Sequence, residues 1–502
     1  MRIPCGGTER GIIMKYFSTR NDKETYTAAQ AIAMGIAPDG GLFVPETIPA
    51  VGPDTIRALC AMDYRARAVD IMKRYLDEFS TEELESFVTS AYGSNYDDAL
   101  IAPTRFLEDT TAFLELWHGP TCAFKDMALQ MLPHLLTASL KKTGERRRVC
   151  ILVATSGDTG KAALEGFKDV DGTSIFVFYP DGGVSKIQRL QMVTQEGGNV
   201  AVSAVRGNFD DAQTGVKTIF GDAAFAEELT ARGWYLSSAN SINWGRLLPQ
   251  IVYYFSAYCD YVNSGKINPG DKINVCVPTG NFGNILAGWF AREMGLPVKR
   301  FICASNANNV LTDFIRTGVY DKNRPFHTTI SPSMDILVSS NLERLLYMLT
   351  GDKETRGYME LLRTEGRYAV TGAAREQIQT IFSGGFCGDA ETKSAIGRLF
   401  SERGYLMDTH TAVAYQVLSE YRAMSGDDAP AVVVSTASPF KFAADVLDAL
   451  GGDAAEDPLG QLSARASLAV PKPLRALEGR AVRFPAVVEK ADMREAVSGF
   501  LK

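Results

Sequence analysis

No two of the eight cysteines are spaced as a CxxC pair. They fall at positions 5, 60, 122, 150, 259, 276, 303 and 387, several inside apolar runs such as RRRVCILVA and INVCVP. That scatter argues against a zinc or disulfide framework and for reduced core thiols in a cytoplasmic protein. Also missing is any apolar run near the roughly 18 residues of a membrane span. Residues 1–13, MRIPCGGTERGII, lack the apolar segment of a secretory signal. Positive charge is in short supply, with 52 Lys and Arg against 59 Asp and Glu and a net charge of -7. This balance speaks against a general nucleic-acid binder, while leaving room for a local basic pocket. There is no Walker A ending, no GxGxxG turn, no internal repeat and no low-complexity segment. What is left is the composition of a soluble globular protein, 46% hydrophobic and 22% charged, over 502 residues. That length allows about two to four domains at roughly 100–200 residues each.

The most informative stretch is 118–130, HGPTCAFKDMALQ. Gly119 and Pro120 break the chain, Thr121 is a candidate cap, and apolar residues at helical spacing from 127 to 136 predict a helix with Lys125 in its first turn. A helix N-terminus favours anions over cations. A lysine there, next to Phe124, invites a chemical role as an amine that loses its proton and condenses with an aldehyde. The plain alternative is a lysine that snorkels to solvent.

Residues 14–104 read as mainly helical, with TYTAAQAIAMGIA amphipathic and APDGGLFVPE a turn. From 149 onward the pattern is strand, turn and helix in repetition: the strand 149–154 runs into TSGDTG and a helix, and strands follow at 174–179 and 200–205, with a helix around VSKIQRLQMV between them. A long helix is expected over 242–261, a strand over 273–278 leading into TGNFGN, and a buried strand over 431–435. The stretch 320–410 reads as less regular, and 452–502 as a surface tail and cap. Repeated βα units imply a mainly parallel sheet with helices on both faces.

Two turns, TSGDTG and TGNFGN, stand where a strand hands over to a helix, the geometry in which backbone N–H groups and a helix N-terminus bind an anion. In TGNFGN, Gly280 and Gly283 let the backbone approach an oxygen closely. ANSINWGR precedes the long helix. Asn240 and Ser241 there are either a cap or neutral hydrogen-bond donors, and Arg246 is a planar fork on an otherwise apolar helix.

HGPT followed by FKD and AL closely resembles the cofactor-lysine segment of threonine synthases, pyridoxal-phosphate enzymes of fold type II. Four further segments resemble the family in the same order: TSGDTG, ANSINWGR, TGNFGN and STASPFKF. MKYFSTR at 14–20 resembles its usual opening, which makes Met14 the expected start and 1–13 a leader or an added scar. DTHTAVAY at 408–415 also fits. The resemblance spans about 14–450.

It implies an α/β fold of type II, like the tryptophan synthase β chain, with two parallel-sheet domains at 105–264 and 265–451 after the N-terminal region 14–104. It implies pyridoxal 5'-phosphate held by Lys125 as a Schiff base, with Phe124 beside it. Gly280, Asn281, Phe282, Gly283 and Asn284 would cradle its phosphate, and a neutral hydroxyl, Thr436 or Ser435, would face its ring nitrogen. Asp158 would face the ring oxygen, where many relatives have an amide; it is then either protonated or turned away, unless it simply caps its helix. Thr155 and Ser156 are expected at the substrate carboxylate. Thr159, Asn240, Ser241, Arg246 and Lys186 are expected at the substrate phosphate. His410 is expected to be a packed or capping group, and His118 is given no role. The implied reaction converts O-phospho-L-homoserine and water to L-threonine and phosphate, in a cytoplasmic monomer or homodimer with no nucleic-acid or membrane partner and no metal. Its rivals are a phospholyase of the same fold that releases 2-oxobutyrate, another β-eliminating enzyme of fold type II, and a non-catalytic cofactor-binding protein.

Overall fold

A computed structural model describes residues 13–107, 110–453 and 456–502. The expected leader therefore lies, apart from Ile13, outside the described residues. Two sheets dominate them. One has the strand order Phe382–Phe386, Val298–Ser305, Ile273–Pro278, Ala431–Ser435, Thr111–Glu115 and Thr104–Phe106, parallel except for the last pair. The other runs Val487–Val488, Val200–Val205, Thr173–Pro180, Arg148–Ala154 and Trp234–Ser237, parallel throughout. The strands are near-continuous apolar runs, as burial on both faces requires.

The sheets cut across the expected divisions. Strands Thr104–Phe106 and Thr111–Glu115 precede the first βα units yet complete the six-stranded sheet, because Thr111–Glu115 pairs with Ala431–Ser435. The last residues are more than a surface tail. Val487–Val488 joins the five-stranded sheet, and Met493, Val497 and Leu501 are buried in one apolar cluster with Cys150, Phe178 and Leu229. The N-terminal region has its helices, but it opens with an antiparallel sheet of Tyr16–Ser18, Asn21–Tyr26 and Phe43–Pro45, part of which was expected as a turn. The stretch 320–410 is also more regular than its sequence suggests. It carries helices Leu342–Thr350, Asp352–Thr364, Gly372–Ile381 and Asp389–Arg403, and the edge strand Phe382–Phe386.

The expected helix over 242–261 is Trp244–Asn263 and is buried along almost all of its length. A helix that is apolar around its whole circumference belongs inside a protein. This one packs against helices Pro53–Cys60, Tyr64–Lys73, Asp126–Leu129 and Gly283–Met294, and so ties the N-terminal region to the helices that follow Lys125 and TGNFGN.

Candidate active site

Lys125 stands one residue before a single helical turn, Asp126–Leu129, and a second helix begins at Leu132. The expected continuous helix is interrupted because Pro133 has no N–H to offer the Leu129 carbonyl. Thr121 does not cap it: the Thr121 N–H and hydroxyl both donate to the buried Asp126 carboxylate, at 2.8 and 2.6 Å. The segment is pinned to the end of the strand Ala431–Ser435. Ala123 forms a bridge with Ala437, and the Phe124 N–H donates to the Thr436 carbonyl at 2.8 Å. The Ser435 hydroxyl is taken up by Trp117 Nε1 at 3.0 Å and by the Thr411 hydroxyl at 3.2 Å.

The Lys125 amine is buried and lies 4.9 Å from the Phe124 ring centroid. It stands 3.5 Å from Asp158 Oδ2 and donates to the Ser333 hydroxyl at 3.4 Å. Burial lowers its pKa from the usual lysine value; Asp158 opposes that effect, while Lys441 and Arg246 add to it.

Asp158 is the first residue of the helix Asp158–Phe167, where the helix end favours a negative charge. Its side chain makes no cap and is turned toward Lys125. Oδ1 accepts from Gln188 Nε2 at 2.9 Å and lies 3.1 Å from Lys441 Nζ, and Oδ2 accepts from the Ser333 hydroxyl at 3.3 Å. Burial favours the neutral acid, but Lys441, Lys125 and the Gln188 hydrogen bond outweigh it and hold the carboxyl well below the usual carboxylate range.

Ser333 is the hub that sequence reasoning missed. It sits on the short 3-10 turn Pro332–Met334, inside the stretch with no readable periodicity. Its N–H donates to His410 Nε2 at 3.2 Å, and His410 Nδ1 lies 2.9 Å from the buried Asp408 carboxylate. A side chain on Gly280 would come within 2.6 Å of the Ser333 carbonyl oxygen, so TGNFGN lies directly against the same turn.

From Gly280 the loop passes through Phe282, whose φ of 63° is left-handed, into the helix Gly283–Met294. No side chain caps that helix, so its first N–H groups have no side-chain capping partner. Asn284 Oδ1 accepts from the Tyr253 and Tyr254 hydroxyls at 2.6 Å each, and its buried Nδ2 has no partner. The Asn341 amide donates to the Asn281 carbonyl at 3.0 Å and to the Ser241 hydroxyl at 3.3 Å, joining TGNFGN to ANSINWGR. Arg344, fully buried, holds Asn341 Oδ1 and the Ile242 carbonyl, each at 2.5 Å. Asn243, not Asn240 or Ser241, caps the long helix.

Arg246 donates to the Ala239 carbonyl at 2.7 Å, but its buried Nε has no partner and no carboxylate pairs with it among the described residues. Burial pulls its pKa down to about 10. The buried cations Lys125 and Lys441 thus face the carboxylate of Asp158, and the orphaned donors of Arg246 and Asn284 add to the deficit of acceptors. This donor set is one that an anionic group completes.

The remaining expected residues are less engaged. The Thr155 hydroxyl accepts from the Gly157 and Gly160 N–H groups at 3.0 and 2.9 Å, shaping its own turn. Ser156 and Thr159 are half-buried, and Asn240 and Lys186 are exposed. His118 lies apart from Lys125, between Asp97 at 2.6 Å and Glu115 at 3.0 Å. Burial alone would lower its pKa, but these two carboxylates push it up to about 9. Lys441 and Gln188 were the other omissions. Both stood inside or beside segments already singled out, STASPFKF and Lys186, but only the fold aims them at Asp158.

Comparison with known proteins accounts for most of the chain. A family model described as "Threonine synthase N terminus" matches residues 15–92, "Pyridoxal-phosphate dependent enzyme" matches 112–438 and "Threonine synthase, C-terminal" matches 411–498. Threonine synthase-like 1 of Homo sapiens is 41% identical over 435 residues, covering 84% of this chain; the chain spans 58% of that relative's length. Threonine synthase of Pseudomonas aeruginosa is 39% identical over 432 residues, covering 86% of this chain and 89% of that protein. The crystal structure of PLP-bound threonine synthase from Brucella melitensis superposes with a TM-score of 0.87 at 36% identity, covering 97% of this chain and all of the other. With matches of that extent lying over the lysine, the glycine loop and the arginine described above, the chain belongs to the threonine synthase family of pyridoxal-phosphate-dependent enzymes.

Proposed function

We propose that this chain is a threonine synthase that binds pyridoxal phosphate and converts O-phospho-L-homoserine and water to L-threonine and phosphate. The observation that carries the reading is the Lys125 amine, buried, depressed in pKa and 3.5 Å from an ionised Asp158, at the meeting point of TGNFGN, TSGDTG and the end of a central strand. The residues present fit the cofactor, since the unpartnered Asn284 Nδ2 and the uncapped helix N-terminus are polar groups that it would complete.

When bound, pyridoxal phosphate supplies an aldehyde for amines and a ring that stores the charge left by a departing proton. Lys125 is the residue that would hold the aldehyde, and its free amine would take and return the proton at the substrate Cα. Gly280, Asn281, Phe282, Gly283 and Asn284 hold the cofactor phosphate. Phe124 packs beside the lysine, and Asp158 keeps the amine oriented. Thr436 offers a neutral hydroxyl to the ring nitrogen, which does not force that nitrogen to stay protonated. Thr155 and Ser156 receive the substrate carboxylate. Arg246, Ser241, Asn240, Thr159 and Lys186 receive its phosphate, with Arg246 stabilising the negative charge as that group leaves.

Product analysis by NMR, with purified protein, pyridoxal phosphate and O-phosphohomoserine, tests the reading. Threonine and phosphate in equal amounts, lost in Lys125→Ala, is the expected result. Phosphate with 2-oxobutyrate would instead make the protein a phospholyase of the same family.

A further inference from the structure

Lys441 has no solvent exposure, and neither composition nor the proposed reaction explains a second lysine in this core. Its amine donates to the Thr121 carbonyl at 2.7 Å, four residues before Lys125, and lies 3.1 Å from Asp158 Oδ1. The other oxygen of the same carboxylate faces Lys125 at 3.5 Å. One carboxylate thus stands between two buried ammonium groups, each on its own oxygen.

We propose that Lys441 is a positioning residue for Lys125: it neutralises and aims Asp158, so that the Lys125 amine can give up its proton without leaving a buried carboxylate unpaired. The inference rests on the reading of Lys125 as the cofactor lysine.

Without Lys441, Asp158 and Lys125 would form an isolated buried ion pair, and breaking such a pair leaves an uncompensated charge. Lys125 would then be held as an ammonium, which is not a nucleophile. With Lys441 present, the Asp158–Lys441 pair is neutral in sum and Lys125 is the surplus cation. The other charged and titratable groups around it do not change the sign. Arg246 adds positive charge, and His410 is turned to Asp408 and the Ser333 N–H. Asp126 is bound by Thr121, and Lys161 and Glu165, further along the Asp158 helix, pair with each other at 2.8 Å. The backbone contact to Thr121 adds direction: Lys441 fastens the Lys125 loop and the carboxylate to one point.

The test is the pH dependence of covalent cofactor capture by the full-length apoenzyme. Capture needs the unprotonated amine, and it is followed by visible absorbance and located by borohydride reduction and peptide mass spectrometry. Lys441→Met keeps the volume and removes the charge. Its capture midpoint is expected to lie about one pH unit or more above that of the unsubstituted protein. Asp158→Asn should move the midpoint down, and the double variant should fall between the two. Coincident midpoints for Lys441→Met and the unsubstituted protein would overturn the proposal, since a purely structural lysine changes stability and not this profile. If Lys441→Met does not fold, Asp158→Asn and the double variant still differ in one buried charge. The double variant should then have the higher midpoint, and equal midpoints would again overturn the proposal. Capture on a lysine other than Lys125 would instead remove the reading beneath it.

Discussion

Gly280 and Ser333 face each other more closely than two side-chain-bearing residues can, with a Cβ at Gly280 falling 2.6 Å from the Ser333 carbonyl oxygen. The glycine is therefore required by the approach of TGNFGN to the turn that carries Ser333, as well as by any ligand. Gly280→Ala should push that turn away from Lys125. Overpacking of this kind costs about 1–3 kcal/mol. Urea unfolding of the apoprotein should register that loss, and cofactor affinity should fall with it. An unchanged midpoint together with unchanged affinity would mean that the two loops part freely.

A second prediction concerns pH. His118 sits between Asp97 and Glu115 with its pKa raised to about 9 from 6.5. A raised folded-state value contributes stability that is fully present below the unfolded pKa and is lost as pH rises through the folded one. The window is therefore roughly pH 6.5 to 9. The Asp97 partner is 41% exposed, which discounts the full shift to the order of 2 kcal/mol. Denaturation midpoints measured across that range should fall with rising pH in the unsubstituted protein and less so in His118→Gln.

The last sixteen residues supply a third. Val487–Val488 extends the five-stranded sheet, and Met493, Val497 and Leu501 are buried against it, with Phe500 edge-on to Phe176 at 5.6 Å. At about 1.5–3 kcal/mol for each fully buried apolar side chain, their removal should cost more than about 5 kcal/mol. A chain ending before residue 487 should be insoluble or unfold at markedly lower temperature. Retention of the full melting temperature would return this segment to the role of a surface cap.

That segment also marks where the sequence stops being legible. Strands such as 149–154, 200–205, 273–278 and 431–435 are apolar on both faces and bounded by turns, so their ends could be read to within a residue. The partners of a strand carry no such signal. Nothing in TRF or TAFLE says that 104–115 closes the sheet of the later half, and nothing in VV says that 487–488 joins the earlier one. The candidate site divides in the same way. Lys125, Gly280 and Arg246 stand out because each is the wrong residue for a bland reading of its surroundings. Ser333, Gln188 and Lys441 are ordinary in their own segments and become notable only once the chain brings them to Asp158.

Arg246 carries the last prediction, in which stability and activity part company. Its guanidinium is buried with Nε unpartnered and no carboxylate among the described residues to balance it, and burial has drawn its pKa down to about 10. An uncompensated buried charge is a cost to the unliganded fold, and replacing one by an apolar side chain of similar length is often neutral or stabilising. Arg246→Met loses one hydrogen bond to the Ala239 carbonyl and should leave the apoprotein within about 1 kcal/mol of its original stability, or above it. Activity should move the other way. Charge-assisted hydrogen bonds to a substrate phosphate are worth about 1.5–3 kcal/mol, so kcat/KM for O-phosphohomoserine should fall by at least about tenfold to a hundredfold. Arg246→Lys keeps the charge without the planar fork and should recover only part of that loss. Inorganic phosphate gives an independent check: as a product analogue it should inhibit the unsubstituted enzyme and lose potency in Arg246→Met. If Arg246→Met instead lost stability and kept its response to phosphate, the arginine would be a packing residue and the substrate-phosphate site would have to be sought among Ser241, Asn240, Thr159 and Lys186.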